Sequence, residues 1–321
     1  MTQLAGVRKK NFLSVLDFEP AELERCVDLA CDLKRERAQG WRAASTSTAL
    51  DGAHVALLFD KPSLRTRSTF EIAVRELGGF TVEVPPDVAL GAREPVAAVA
   101  RNLERWVAAA VIRTFAQTTV VEFAMAAPRL HVINALTDTE HPCQALADFL
   151  TLRERWGGWR GRTLAFVGDG NNVATSLAHA AAMLGTHFHV ASPPGYRLPD
   201  RVVNEARAAA RHGAGLHLFT DPADAVRGAD AVYTDVWTSM GQEAESRARR
   251  EAFAPYQVNR ALMRHAASGA LFLHCLPAKR GEEVTDEVLE SPASVVFDQA
   301  ENRLHTQKAL LLSLMAGGAM R

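Results

Sequence analysis

Four cysteines are all that the 321 residues contain, and Cys26, Cys31, Cys143 and Cys275 form no C-x-x-C pair. That spacing excludes the common zinc sites, and scattered thiols in so long a chain do not make a disulfide framework. Net charge is equally scarce. The 36 Lys and Arg against 37 Asp and Glu leave a formal charge of −1. Such a chain does not bind nucleic acid through bulk charge, although a local basic pocket for a small anion remains compatible with it. No stretch approaches the ~18 consecutive apolar residues of a membrane span. The basic Arg8-Lys9-Lys10 has no apolar run behind it, so neither a membrane partner nor a secretory signal is expected. A cytoplasmic protein with reduced cysteines is the expectation.

What is present is an apolar content of 48% on a length suited to two domains. Short apolar runs bounded by turn residues alternate with stretches of helical spacing. The first helix is expected after Asp17, with Pro20 in its first turn and Leu23, Cys26, Val27, Ala30 and Leu33 on its inner face. His54–Phe59, Phe80–Val84, Ala110–Arg113 and Val132-Ile133 read as strands, with helices at 68–77, 96–106 and 118–126 between them. A long helix from Pro142 to Trp156 ends at Gly157-Gly158. The alternation then restarts with strands at 163–167, 187–191, 216–219, 231–235, 271–274 and 295–296 and a last helix from Glu301 into Leu314. The fold expected is α/β: two tandem parallel-sheet domains joined by the Pro142–Trp156 helix, the C-terminal helix packing back on the first. The expected division is 1–141 with a C-terminal helix at about 302–321, and 142–301.

Ligands of open parallel sheets bind beyond the carboxyl ends of the strands, and the unusual polar segments fall there. Ser63-Leu64-Arg65-Thr66-Arg67 follows a strand and opens a helix. Hydroxyls, arginines and a helix N-terminus suit a phosphate, or else form an ordinary capped helix with solvated arginines. His141, in His141-Pro142-Cys143-Gln144, donates to a carbonyl oxygen or caps its loop. Gly168-Asp169-Gly170-Asn171-Asn172 has the start of a dinucleotide loop but carries Val173 where the third glycine belongs. The next strand runs into Ala191-Ser192-Pro193 with no acid, so a nicotinamide cofactor is not expected. The paired asparagines suit a carboxylate instead. Asp235, in DVWTSMG, is placed to meet an ammonium. Cys275, in HCLP, is a nucleophile, a hydrogen-bonding group or plain core. Arg303, in ENRLH, is a ligand-binding or a surface arginine.

In this order SxRTR, HPCQ, GDGNN, DVWTSMG, HCLP and FDxAENRxH resemble the motifs of the ornithine carbamoyltransferases, from about residue 12 to about 315. The first two are shared with the aspartate carbamoyltransferases, whereas DxWxSMG and HCLP favour ornithine as acceptor. The resemblance implies transfer of a carbamoyl group from carbamoyl phosphate to the δ-amino group of L-ornithine, giving citrulline and phosphate, with no metal or organic cofactor, in a homotrimer serving arginine biosynthesis. It implies that Ser63, Leu64, Arg65 and Thr66 hold the phosphate. Arg113, His141, Pro142, Cys143 and Gln144 then surround the carbamoyl group, with Cys275, Leu276 and Arg303 completing that set. Asn172, Asp235, Ser239 and Met240 would bind ornithine, and Arg113, His141, Asp235 and Cys275 would be catalytic. The attacking amine must be neutral, against an ordinary pKa of about 10.4, and Asp235 with Cys275 would orient it and take up its proton. Three positions depart from the family pattern: Ala89 where a glutamine usually reaches carbamoyl phosphate, Ala98 at an acidic position, and Lys279 at a frequent histidine. The first would weaken donor binding. Readings set against this one are a different amine acceptor, a catalytically weak binding paralogue, and the oxidoreductase already disfavoured by Val173.

Overall fold

The computed structural model describes residues 10–40, 46–85, 88, 90–91 and 93–316. Ala89 lies outside the described residues. The chain forms two compact units, Met1–Leu146 with Arg303–Arg321, and Ala147–Asn302. The division falls inside the helix Pro142–Trp156, not at its first residue.

In the first unit, strands β1 (His54–Phe59), β2 (Phe80–Val84), β3 (Ala109–Arg113) and β4 (His131–Leu136) pair in the order β2-β1-β3-β4, all parallel. β3 and β4 are buried throughout, so neither alternates; Asn134, buried inside β4, breaks its apolar run, and only Val132-Ile133 of that strand is legible as one. Helix Pro20–Gln39 opens on the proline, whose missing N–H has no partner to lose there, and buries the expected five residues. On one side of the sheet, Val99, Leu103, Val120 and Phe123 from helices Val96–Leu103 and Gln117–Ala126 pack on Leu58, Ile112 and Val132. The helix expected from Ser68 starts at Leu64, with Ser63 as its N-cap. Leu64 is 78% exposed, so no apolar periodicity announces that first turn. The strand order reverses between β1 and β3, which places the crevice of an open sheet beyond these two strands. Helix Val296–Met315 closes the unit through side chains: Arg303 reaches Thr66, and Lys308 Nζ lies 3.0 Å from Glu76.

In the second unit, β5 (Thr163–Val167), β6 (His187–Ala191), β7 (Leu216–Phe219), β8 (Ala231–Thr234) and β9 (Leu271–His274) form a parallel sheet in the order β7-β6-β5-β8-β9. The order reverses between β5 and β8. Val167, Val232 and Phe272 bury one face of this sheet against Trp237, Phe253 and Val284. β8 stops at Thr234 and leaves Asp235 just beyond the strand. The strand expected at Val295-Val296 does not form. Ser294 makes one isolated bridge to Phe272, and Val296 already opens the last helix. Tertiary packing here overrides the β-preference of two adjacent valines. Short helices at Ser246–Phe253, Arg260–Met263 and Asp286–Leu289 add to the sequence reading. No helix among the described residues is long and apolar enough to cross a membrane.

Candidate active site

In the first unit a cationic cluster gathers beyond β1 and β3. Ser63 caps helix Leu64–Glu76 without a side-chain cap bond. The first-turn N–H groups of a helix have no partner within it, and they face an anion favourably. Thr66 is buried, and its hydroxyl accepts from Arg303 Nη2 at 2.6 Å. Arg303 Nη1 also donates to Gln144 Oε1. Arg303 is only 2% exposed, so the surface-arginine reading of this residue is overturned. Arg113 ends β3 and is buried as well.

His141 shows where these charges point. Burial first, then Arg303, Arg113 and Arg65, hold its imidazole well below the ordinary value. The ring is therefore neutral at pH 7 and keeps one N–H to donate. Cys143 has turned the other way. Its thiol donates to the Asn134 carbonyl at 3.4 Å, and burial pushes its pKa up to about 12. Of the HPCQ segment, then, His141 and Gln144 belong to the cationic cluster, Pro142 heads the helix, and the Cys143 side chain is core.

The depressed histidine makes stability depend on pH. Below about 6.5 the unfolded chain takes up a proton on His141 that the folded chain refuses, so acid favours unfolding. The phosphate-free protein is expected to lose up to about 1.4 kcal/mol per pH unit below 6.5 relative to His141→Gln, until the folded-state pKa is reached. Denaturant unfolding of both proteins between pH 7.5 and 5 measures this, and parallel curves would refute it.

In the second unit the segments after β5, β8 and β9 meet around Asp235. Asn171 caps helix Asn172–Leu184, its Oδ1 accepting from Val173 N at 3.0 Å and Ala174 N at 3.1 Å. With its oxygen so engaged, its Nδ2 donates to Asp235 Oδ2 at 2.8 Å. Asp235 Oδ1 accepts from Val236 N at 2.8 Å and from Cys275 Sγ at 3.0 Å. The carboxylate and the thiol are thus joined at the ends of neighbouring strands. Asn172, the expected ornithine ligand, is the first residue of the helix, next to Asn171. Ser239 N donates to Gln242 Oε1 at 3.2 Å, and Met240 is exposed.

Gly170 explains the G-D-G spacing. A Cβ there would stand 2.3 Å from Leu198 N and 2.4 Å from the Arg197 carbonyl carbon. The close approach that a dinucleotide loop reserves for a diphosphate is taken by the chain's own backbone, and Gly170 N bonds the Tyr196 carbonyl at 2.8 Å.

Asp235, His274 and Cys275 also bring three metal-capable groups within 4.8 Å of one another. His274, however, is spent on internal bonds. Its Nδ1 accepts from Leu276 N at 2.9 Å, which leaves the proton on Nε2, 3.2 Å from Glu283 Oε1. The first of these bonds fastens Leu276, whose φ of 59° lies in the left-handed region. A buried network supports the end of β9: Gln299 accepts from His274 N and donates to Asp148 Oδ1 at 2.6 Å and to the Tyr233 hydroxyl. Burial, then the charge of Asp148, keeps the Tyr233 phenol protonated. Lys279, a departure from the family pattern, lies 3.9 Å from Glu282, and Ala98 lies in helix Val96–Leu103.

Sequence reasoning missed Asn171 as the partner of Asp235, although an asparagine before a helix is a recognisable cap. It also missed Arg249, inside the arginine-rich SRARREAF helix. No sequence signal separates that arginine from its exposed neighbours, and only its burial does.

Family models match both units: a carbamoyl-P binding domain over residues 10–154 and an Asp/Orn binding domain over residues 160–314, both described as aspartate/ornithine carbamoyltransferase. The ornithine carbamoyltransferase of Acidothermus cellulolyticus is 51% identical over 316 residues, covering 96% of this chain and 98% of the relative. That of Anoxybacillus flavithermus is 47% identical over 317 residues, covering 98% and 99%. The solved ornithine carbamoyltransferase of Pyrococcus furiosus superposes with a TM-score of 0.92 at 43% identity, over 98% of this chain and 99% of that one. On these matches, which span both units and the segments that line their strand ends, the chain belongs to the aspartate/ornithine carbamoyltransferase family.

Proposed function

We propose that the chain transfers the carbamoyl group of carbamoyl phosphate to the δ-amino nitrogen of L-ornithine, giving L-citrulline and phosphate. The observation that carries an amine acceptor is the 3.0 Å contact of Cys275 with Asp235, a carboxylate already held by Asn171, and the choice of ornithine rests on the family match. An acid and a thiol so placed can hold an amine and accept its proton.

In this reading the first-turn N–H groups of helix Leu64–Glu76, with Arg65, Arg113 and Arg303, bind the phosphate and stabilise its charge as it leaves. Neutral His141 donates to the carbamoyl oxygen, where negative charge grows in the transition state. The amine lone pair forms the new C–N bond, the bond from carbon to the phosphate oxygen breaks, and the amine gives up one proton toward Asp235 and Cys275. Bringing two small substrates into one encounter supplies much of the acceleration. Arginine biosynthesis, a cytoplasmic location and a homotrimer belong to the same proposal. They rest on the family, with exposed Ile72 and Phe80 of the first unit as apolar surface for a neighbouring subunit.

Citrulline is expected from carbamoyl phosphate and L-ornithine, with no carbamoylated product from putrescine, N-acetylornithine or aspartate. Carbamoylation of one of those in place of ornithine, or of none by folded protein, overturns the proposal.

A further inference from the structure

We propose that the ion pair between Asp169 and Arg249 is a latch that positions Asp235 and Asn171 and so sets the affinity for the amine substrate. The inference rests on the function proposed above and assigns a positioning role to two residues outside its contact set.

Arg249 is 5% exposed and, with Phe253, is one of the two buried residues of helix Ser246–Phe253. Its Nη1 donates to Asp169 Oδ2 at 2.8 Å and to the Trp237 carbonyl at 2.9 Å. Its Nε donates to Glu245 Oε2 at 3.2 Å, and its guanidinium lies 4.9 Å from the centre of the Tyr196 ring. One side chain therefore ties three segments together: the loop after β5, the loop after β8, and the stretch that packs on Gly170. Asp169 precedes Asn171 by two residues, and Trp237 follows Asp235 by two. The Asn171–Asp235 bond and the Asp169–Arg249–Trp237 bridge thus span the same two loops side by side.

A bridge made only for stability could join any two parts of the unit. This one joins the two loops that carry Asn171 and Asp235, two residues from each of them, next to the Cys275 contact. The planar guanidinium matters, because Nη1 meets the Asp169 carboxylate and the Trp237 carbonyl while Nε meets Glu245 in one fixed geometry, whereas an ammonium is a single point charge. With the pair broken, the two loops retain only the Asn171–Asp235 bond between side chains of the cluster, and Asp235 is held less well for its ligand.

Steady-state kinetics of Arg249→Ala, Arg249→Lys and Asp169→Asn test the latch, with each substrate varied in turn. Arg249→Ala and Asp169→Asn are expected to raise KM for ornithine about tenfold or more, with kcat within about threefold and KM for carbamoyl phosphate within about twofold of wild type. Arg249→Lys should fall between Arg249→Ala and wild type. The double variant Arg249→Ala with Asp169→Asn should be no worse than the poorer single one, since both remove one interaction. A thermal melt identifies the folded variants. If Arg249→Ala does not fold, the nearly isosteric Asp169→Asn and the charge-retaining Arg249→Lys decide alone. Folded variants with a lower Tm but an unchanged KM for ornithine overturn the latch, as does an equal rise in both KM values. A wild-type protein that makes no citrulline fails the proposed function first, and the latch falls with it. A wild-type protein that turns over while the KM split is missing fails the latch only.

Discussion

Arg303→Ala is expected to lower kcat/KM for carbamoyl phosphate by about a hundred- to a few-thousand-fold, the equivalent of about 3–5 kcal/mol. The side chain is almost fully buried, and its fork reaches the Thr66 hydroxyl and the Gln144 amide oxygen. Both of these partners are neutral, while Arg113 and Arg65 are near enough, with Arg303, to hold His141 deprotonated. Three guanidinium groups gathered around one neutral histidine suit an anion, and their electrostatics are those expected of a site for a phosphate. Inorganic phosphate is expected to raise the Tm of the wild type and to leave that of Arg303→Met unshifted, on a phosphate-free Tm lowered because the buried Gln144 oxygen loses its donor. Arg303→Lys keeps the charge but cannot meet Thr66 and Gln144 together, and its activity should lie between the other two. A kcat/KM for Arg303→Ala within tenfold of wild type would remove this arginine from the donor site.

Most of this was legible in the sequence where local and tertiary signals agree. The run HVALLF, flanked by turn residues, could only be a buried strand, and β1 has those bounds. Asn172–Leu184 is nearly all apolar or small, opens after an asparagine and stops at a glycine with φ of 86°, so its limits were set by its caps. The misreadings lie where those signals part. Leu64 is apolar yet exposed, and the helix start it belongs to was placed four residues late. Val295 and Val296 favour a strand on their own, but the chain there turns into a helix that buries Val296 and leaves Phe297 exposed. The candidate site divides in the same way. The residues proposed to meet substrate sit in motifs and could be named, but the residues that hydrogen-bond them into place could not. Asn171, Arg249, Gln299 and Asp148 act by their direction and burial, neither of which a sequence position carries.

Asp235→Asn is expected to destabilise the fold by about 1–3 kcal/mol and to lower kcat/KM for ornithine by about a hundredfold or more. The first effect follows from donor counting. Asp235 accepts three hydrogen bonds, one from the Asn171 amide. An asparagine at 235 that keeps its oxygen toward Val236 and Cys275 turns an NH2 toward the NH2 of Asn171. Neither can be flipped without loss, because the Asn171 oxygen is engaged by two helix N–H groups. One donor is left buried without an acceptor, and that is the destabilisation. Exchanging the two residues, Asn171→Asp together with Asp235→Asn, separates structure from chemistry. Aspartate caps a helix as well as asparagine does, and its second oxygen accepts from the new amide at 235. Thermal stability should therefore return to near wild type. The negative charge, however, has moved from the side of Cys275 to the helix cap, away from the amine it must hold. Activity with ornithine should stay low in the refolded double variant, while KM for carbamoyl phosphate is unchanged. Recovery of activity together with stability would mean that Asp235 serves only to organise its neighbours, and that the proton of the amine leaves by another route.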